Sequence, residues 1–227
     1  MKNSFKIIIA LFCSVFGFGQ NNKVSNLDTY GIRLSETHYS SSYSSTQGSP
    51  YLNKAFLHAK VGDLIQNALM RYDAANDQFE FITATNDTLI LNKTGALGDI
   101  SFSIPKATYQ LVNYTERDGK KTTGYLVKLY EKNNFTLYKR QKVKYYPATA
   151  AKSSYDTASP ARFDPMRDTF FLKRGEGEII ELPSGKKGIL KLFPEKKDDL
   201  EAFIKQNDLD LEKERDVIML IDFLASL

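Results

Sequence analysis

Tryptophan is absent from this chain of 227 residues, histidine occurs twice and cysteine once. Each shortage excludes a chemistry. With only His38 and His58 present, a histidine metal site or a Ser-His-Asp triad would rest almost wholly on His58, and neither is predicted. The lone Cys13 lies inside an apolar N-terminal run and leaves with it, which removes disulfides and thiol chemistry from the remainder. No phosphate-binding loop stands between a strand and a helix, because Arg174, Gly175, Glu176 and Gly177 separate two strand patterns and read as a β-turn. Asp73, Asn76 and Asp77 lack the spacing and closing glutamate of a calcium loop, and they read as turn formers. Glu80 and Glu181 are available as paired carboxylates for glycoside hydrolysis, but spacing in sequence says nothing of their separation in space. No cofactor, metal or catalytic residue is therefore predicted, and an enzyme is not expected.

Long apolar runs are also missing. The one at residues 7–18 is too short to span a bilayer, but behind Lys2 and Lys6, and ahead of the small residues Gly17 and Gly19, it has the form of a signal peptide cleaved before Gln20. Cys13 is preceded by Phe12, where lipoprotein processing needs a small residue, so export to the periplasm or cell surface without a lipid anchor is expected. No transmembrane segment follows. Loss of the two lysines lowers the formal charge from +4 to +2, too small a basic excess for nucleic acid to be an expected partner.

What remains has a clear order. Residues 20–50 are polar and serine-rich and read as a flexible leader; residues 51–193 read as a β-rich domain, and residues 194–227 as a helical hairpin packed on it. The hairpin at residues 69–82 sets the pattern, with Phe79 and Phe81 alternating against Gln78 and Glu80 around the turn formers Asn76 and Asp77. Further strand patterns lie at residues 88–92, 99–104, 109–114, 124–130, 135–146, 169–173 and 178–182, separated by Gly, Asn, Asp and Pro. Ile100, Phe102 and Ile104 share one side of their strand, as do Tyr125, Val127 and Leu129 of theirs. After Pro194 the period changes: Leu200, Phe203 and Ile204, then Val217, Ile218, Ile221 and Leu224, recur at helical spacing, with Asn207 as the stop between them. The expected fold is α+β, an antiparallel curved β-meander of about nine to eleven strands forming a partial barrel or sandwich, closed by the helical hairpin.

Two stretches are candidates for contact with a ligand or partner. On residues 135–146 the face opposite the apolar one carries Tyr138, Arg140, Lys142, Lys144 and Tyr146, a basic ladder whose cations stand about 7 Å apart along one strand. It reads either as a dock for an anionic polymer or lipid headgroup, or as a solvated face paired with carboxylates such as Glu131 or Glu116. Residues 147–168 lack periodicity and hold Tyr155, Arg162, Phe163 and Arg167, which read as a contact loop or as a packed crossover.

The segments SPYLNKAF, ALMRYDAANDQFEF, ARF and the KQNDLDLEKERDVIMLIDFL tail resemble those of an uncharacterised exported protein family of Bacteroidota, over roughly residues 49–227. The resemblance implies envelope location and a single family domain, with no activity to carry over. The expected function is that of a non-catalytic binding or structural module for an envelope protein, glycan or lipid. Two other classes stay open: a periplasmic carrier of lipid or lipoprotein with a half-open apolar sheet, and an envelope hydrolase.

Overall fold

Strands dominate the computed structural model of the chain, which describes residues 46–62, 67–83, 85–93, 98–151 and 157–227; the segment expected to be a signal peptide and Tyr155 lie outside the described residues. In chain order the strands are β1 (Leu57–Val61), β2 (Ala68–Asp73), β3 (Gln78–Ile82), β4 (Thr88–Ile90), β5 (Ile100–Ser103), β6 (Lys106–Thr115), β7 (Lys121–Lys132) and β8 (Phe135–Arg140). There follow β9 (Val143–Tyr146), β10 (Arg162–Pro165), β11 (Thr169–Arg174) and β12 (Ile179–Glu181), then α1 (Lys186–Leu192), α2 (Lys197–Gln206) and α3 (Glu214–Ser226). Ten strands make one sheet in the order β12-β11-β8-β7-β6-β5-β1-β2-β3-β4, and β9 pairs only with β10.

The long strand β6 is the branch point. One of its edges is shared: Ile100 to Ser103 of β5 pair along its first half, while Ile179 and Ile180 of β12 pair in parallel with Tyr114 and Thr115 near its end. Strands β6, β7, β8, β11 and β12 therefore form a partial ring, and β5, β1, β2, β3 and β4 leave it as a curved arm. Tyr114, Leu126, Tyr138, Phe171 and Ile179 fill the inside of the ring, with the Tyr114 and Phe171 rings 4.7 Å apart. Outside it, Tyr125 and Val127 of β7 meet Tyr72, Phe79, Phe102 and Tyr109 of the arm and β6 in an aromatic core. Leu137, Phe170 and Leu172 form the other outer flank, under Leu200, Ile204, Val217, Leu220 and Leu224 of the helices.

This plan is the expected α+β curved meander, with differences that follow from ring closure. Strands that alternate strictly were expected to face water on one side. In β7 both sides are buried, Leu126 inside the ring and Val127 against the arm. The predicted strand over residues 135–146 breaks after Arg140: β8 stays between β7 and β11, and β9 turns away to pair with β10, which lies inside the stretch expected to be aperiodic. Residues 188–193, a short apolar segment expected to belong to the β-rich part, fall mostly within α1 (Lys186–Leu192), so the helical region begins ahead of Pro194. The end of the leader is already tied in, since Gln47 donates its N–H to the Ala161 carbonyl and accepts from Phe163.

Asn133, with φ at +51, turns the chain in the gap left between the strand patterns at 124–130 and 135–146, and the helix stop at Asn207, whose side chain donates to the Phe203 carbonyl at 2.9 Å, stands where the sequence put it. The paired helices meet through Phe203 and Phe223, stacked at 3.9 Å. Among the described residues no helix is long and apolar enough to cross a membrane.

The curl of the arm has a specific fastener. The turn between β2 and β3 is built by Asp73, which is fully buried and accepts the N–H groups of Ala75 and Asn76 at 2.9 and 3.0 Å. That leaves Asp77, with φ at +53, free to reach across to β7: its carboxylate accepts from the Tyr125 N–H at 3.1 Å, the Tyr72 hydroxyl at 2.7 Å and Lys93 at 2.5 Å. Gly124 makes the approach possible, because a Cβ there would stand 2.6 Å from the Asp77 carboxylate and 3.2 Å from the Tyr114 hydroxyl. Gly124→Ala is accordingly expected to push Asp77 off the Tyr125 N–H and to lower stability by about 1–3 kcal/mol, the cost of leaving buried partners unpaired. A denaturant titration of both proteins checks this.

Candidate functional site

The basic ladder does not survive as one surface. Tyr138 and Arg140 are the last inward-facing residues of β8: Tyr138 is buried inside the ring, and Arg140 stands at the ring's end with its guanidinium 5.4 Å from the Phe171 ring centre. Arg140 pairs with Glu116 at 3.0 Å, one of the carboxylates the sequence offered for it. Burial raises the Glu116 carboxyl, but hydrogen bonds from Arg140 and Thr122 outweigh it and hold the group below the ordinary glutamate range. Lys142 and Lys144 lie beyond the break and are exposed.

The remaining candidates divide between two places. Arg162 is directly opposite Tyr146 in the β9–β10 ribbon, lies 4.5 Å from its ring centre and pairs with Asp164 at 2.8 Å. Lys144 sits 4.7 Å from the same ring, so Lys144, Arg162 and Tyr146 form one small cationic patch. Phe163 points the other way, buried against Tyr145. Arg167, two residues past β10, is 84 % exposed on its side chain and pairs with Glu212 at 2.6 Å.

The carboxylates weighed for hydrolysis are each held by an arginine. Glu80, fully buried, takes Arg71 at 2.6 Å and the Tyr51 hydroxyl at 3.0 Å, while Glu181 takes Arg117 at 3.4 Å. Arg71 in turn lies between the Tyr51 and Phe56 rings, 3.8 and 4.3 Å from their centres. The face of the hairpin that the sequence marked as polar is thus covered, and the pair pins the segment before β1 to the arm.

Two concavities stand out. A groove of about 760 Å³ runs between the end of the sheet and the helices, rimmed by Arg117, Arg167 and Lys213. Its rim is neutralised, because these three pair with Glu181, Glu212 and Asp210. Its floor of Phe170, Leu182, Ile189 and Leu220 is the core between helices and sheet. The second concavity, a cleft of about 370 Å³, occupies the hollow of the curved sheet from β2 to β8. Leu57, Met70, Phe102, Tyr109, Val127 and Leu129 line it, and Leu57, Ala107 and Leu129 remain partly open to it.

Around the cleft the polar groups are few and placed. Tyr109 donates to Gln141 at 2.7 Å. Lys139 reaches Glu214 at 2.6 Å and Asp168 at 3.2 Å; burial depresses this ammonium, and its two carboxylate partners more than restore it, so it stays charged. Burial, aided by the Asp168 charge, pushes the Tyr109 hydroxyl far above its ordinary value, so it acts only as a neutral donor. An apolar wall with a few fixed polar groups suits retention of a small apolar ligand.

No family model, curated protein or solved structure matches the chain. The alternation of β7 already set Tyr125, Val127 and Leu129 on one side, yet nothing in the sequence said that this side is left partly uncovered. Ile104 was grouped with Ile100 and Phe102, but β5 ends at Ser103 and Ile104 stands in the turn, 83 % exposed. The Pro that follows it is the signal for that break.

The Arg140–Glu116 pair gives a pH prediction. A carboxylate whose folded value is depressed stabilises the fold fully above its unfolded value, about 4.3, and the gain is lost as pH falls through the folded value. Glu116→Gln should therefore be less stable than the parent by about 1–3 kcal/mol near neutral pH. The gap should close as pH is lowered below about 4, as followed by denaturant titrations at several pH values.

Proposed function

We propose that this chain is a non-catalytic, exported binding module of the cell envelope that holds a small apolar ligand, of the size of one short hydrocarbon chain, in the cleft of its curved sheet. The carrying observation is the cleft itself: about 370 Å³ of space bounded by Leu57, Met70, Phe102, Val127 and Leu129. That volume sits at the low end of the range of about 300–1,000 Å³ found for small-molecule pockets, which favours one chain over a two-chain lipid. The neutral Tyr109 and the charge-balanced Lys139 favour an uncharged polar end on the ligand. Export rests on the signal-like residues 1–19 and on the resemblance to exported proteins. A non-catalytic role is supported by Glu80 and Glu181 being engaged in structural ion pairs.

A second contact is favoured by Lys144 and Arg162, both close to the Tyr146 ring and together exceeding the charge of Asp164 beside them, which suits an anionic envelope polymer.

Decanol tests the main reading. Calorimetric titration should show saturable binding with a negative heat-capacity change, the mark of apolar burial. Ala107→Trp, which puts an indole into the cleft from a partly open position, should weaken that binding at least tenfold while leaving thermal stability near the parent value. Equal binding by parent and variant would refute the cleft as the site.

A further inference from the structure

The most exposed large apolar side chain among the described residues stands at the mouth of the cleft. Ile104, 83 % exposed, occupies the tip of the β5–β6 turn, beside Pro105 and Lys106, which line the cleft. The antiparallel register that sets Ala59 opposite Phe102 brings the start of β1, Leu57, to the same end of the sheet. The segment leading into β1 thus arrives beside this tip, and its Leu52, 45 % exposed, lines the cleft as well.

The charge of this rim has one sign. Residues 51–57 and 101–109 contain Lys54 and Lys106 and no carboxylate. Both lysines are exposed, and neither is ion-paired among the described residues. The nearest acid of the cleft wall, Glu214, is engaged by Lys139. Two exposed aliphatic side chains together with two unpaired cations, set around the opening of an apolar cleft, match the boundary layer of an anionic bilayer, where apolar groups reach the acyl chains and ammonium groups meet the headgroups.

We infer that the Leu52–Ile104 rim is a membrane-docking surface for anionic bilayers, through which the cleft takes up a single hydrocarbon chain from the lipid surface. The inference rests on the cleft reading for its ligand and on the rim alone for its docking, so the two fail separately.

The test uses the chain from Gln20 onward, which contains every described residue, in co-sedimentation with vesicles of phosphatidylglycerol and phosphatidylethanolamine, or of phosphatidylcholine alone. Docking predicts binding to the anionic vesicles that weakens with added salt, with little binding to phosphatidylcholine. Ile104→Ser should lower affinity for the anionic vesicles about tenfold, as expected for removing one aliphatic side chain from the interface. Lys54→Glu, at the rim lysine that does not line the cleft, should lower it for anionic vesicles and leave the phosphatidylcholine baseline alone. Both substitutions lie on exposed positions, and both variants should still bind decanol as the parent does.

Absence of vesicle binding, or equal binding by parent and Ile104→Ser, overturns the docking surface and leaves the cleft reading standing if decanol still binds. Vesicle binding with the predicted losses but no decanol uptake supports docking and overturns the cleft. Light scattering that shows a dimer abolished by Ile104→Ser, with no vesicle binding, overturns docking in favour of contact between copies of the chain.

Discussion

Asp77 is the constraint on which the shape of this molecule turns. A hairpin of β2 and β3 has no intrinsic reason to fold back over a distant strand. Here one carboxylate at its turn accepts from the Tyr125 N–H on β7, the Tyr72 hydroxyl and Lys93. The interaction lies at the edge of the aromatic core, where Phe79 meets Tyr125 edge-on at 4.8 Å and Tyr72 lies 5.0 Å from Tyr109. Burial, with the nearby Asp77 charge, raises the Tyr125 hydroxyl to about 12 and the Tyr72 hydroxyl well above its usual value, so both phenols stay neutral, and the Tyr72 hydroxyl donates to the carboxylate. The curl fixed in this way is what leaves a hollow between β2 and β8.

Ring closure is the second determinant, and it acts on the opposite flank. Only two residue pairs join β12 to β6, yet they turn one face of β7, β8 and β11 inward. That face holds Leu126, Tyr138 and Phe171, and the outer face of β8 and β11 then becomes the bed for the helices. The helices are held at their edges by polar contacts to the β7–β8 hairpin: Tyr130 and Lys132 both engage Asp222, and Asn133 donates to the Ala225 carbonyl. Such solvent-screened contacts add little to stability, so the apolar bed carries the packing and these contacts set its orientation.

Local signals were legible and long-range ones were not. Alternation located most strands, the Asn133 turn and the helical stripes, because pleat and helix periods are properties of neighbouring residues. Parallel closure of β12 on β6 couples residues some 65 apart in sequence, and no period encodes it. This is why the ladder looked continuous. Tyr138 and Arg140 share the alternation of Lys142 and Lys144, but a change of partner strand after Arg140 sends the first two into the ring and the others to the surface. The cleft was legible only as the apolar side of β7; its emptiness depends on how far the arm stands from the sheet, which Asp77 decides. The sequence read Asp73, Asn76 and Asp77 alike as turn formers; Asp73 fills that role, whereas the Asp77 carboxylate reaches from the turn to a distant strand.

The central claim is that the hollow made by this curl receives an apolar ligand. Intermolecular nuclear Overhauser effects between decanol and the methyl groups of the protein test it most directly. Contacts are expected from the hydrocarbon chain to Met70, Val127 and Leu129, which line the cleft. Contacts confined to Leu182, Ile189 and Leu220 in the groove beside the helices, or the absence of any contact at saturating decanol, would contradict it.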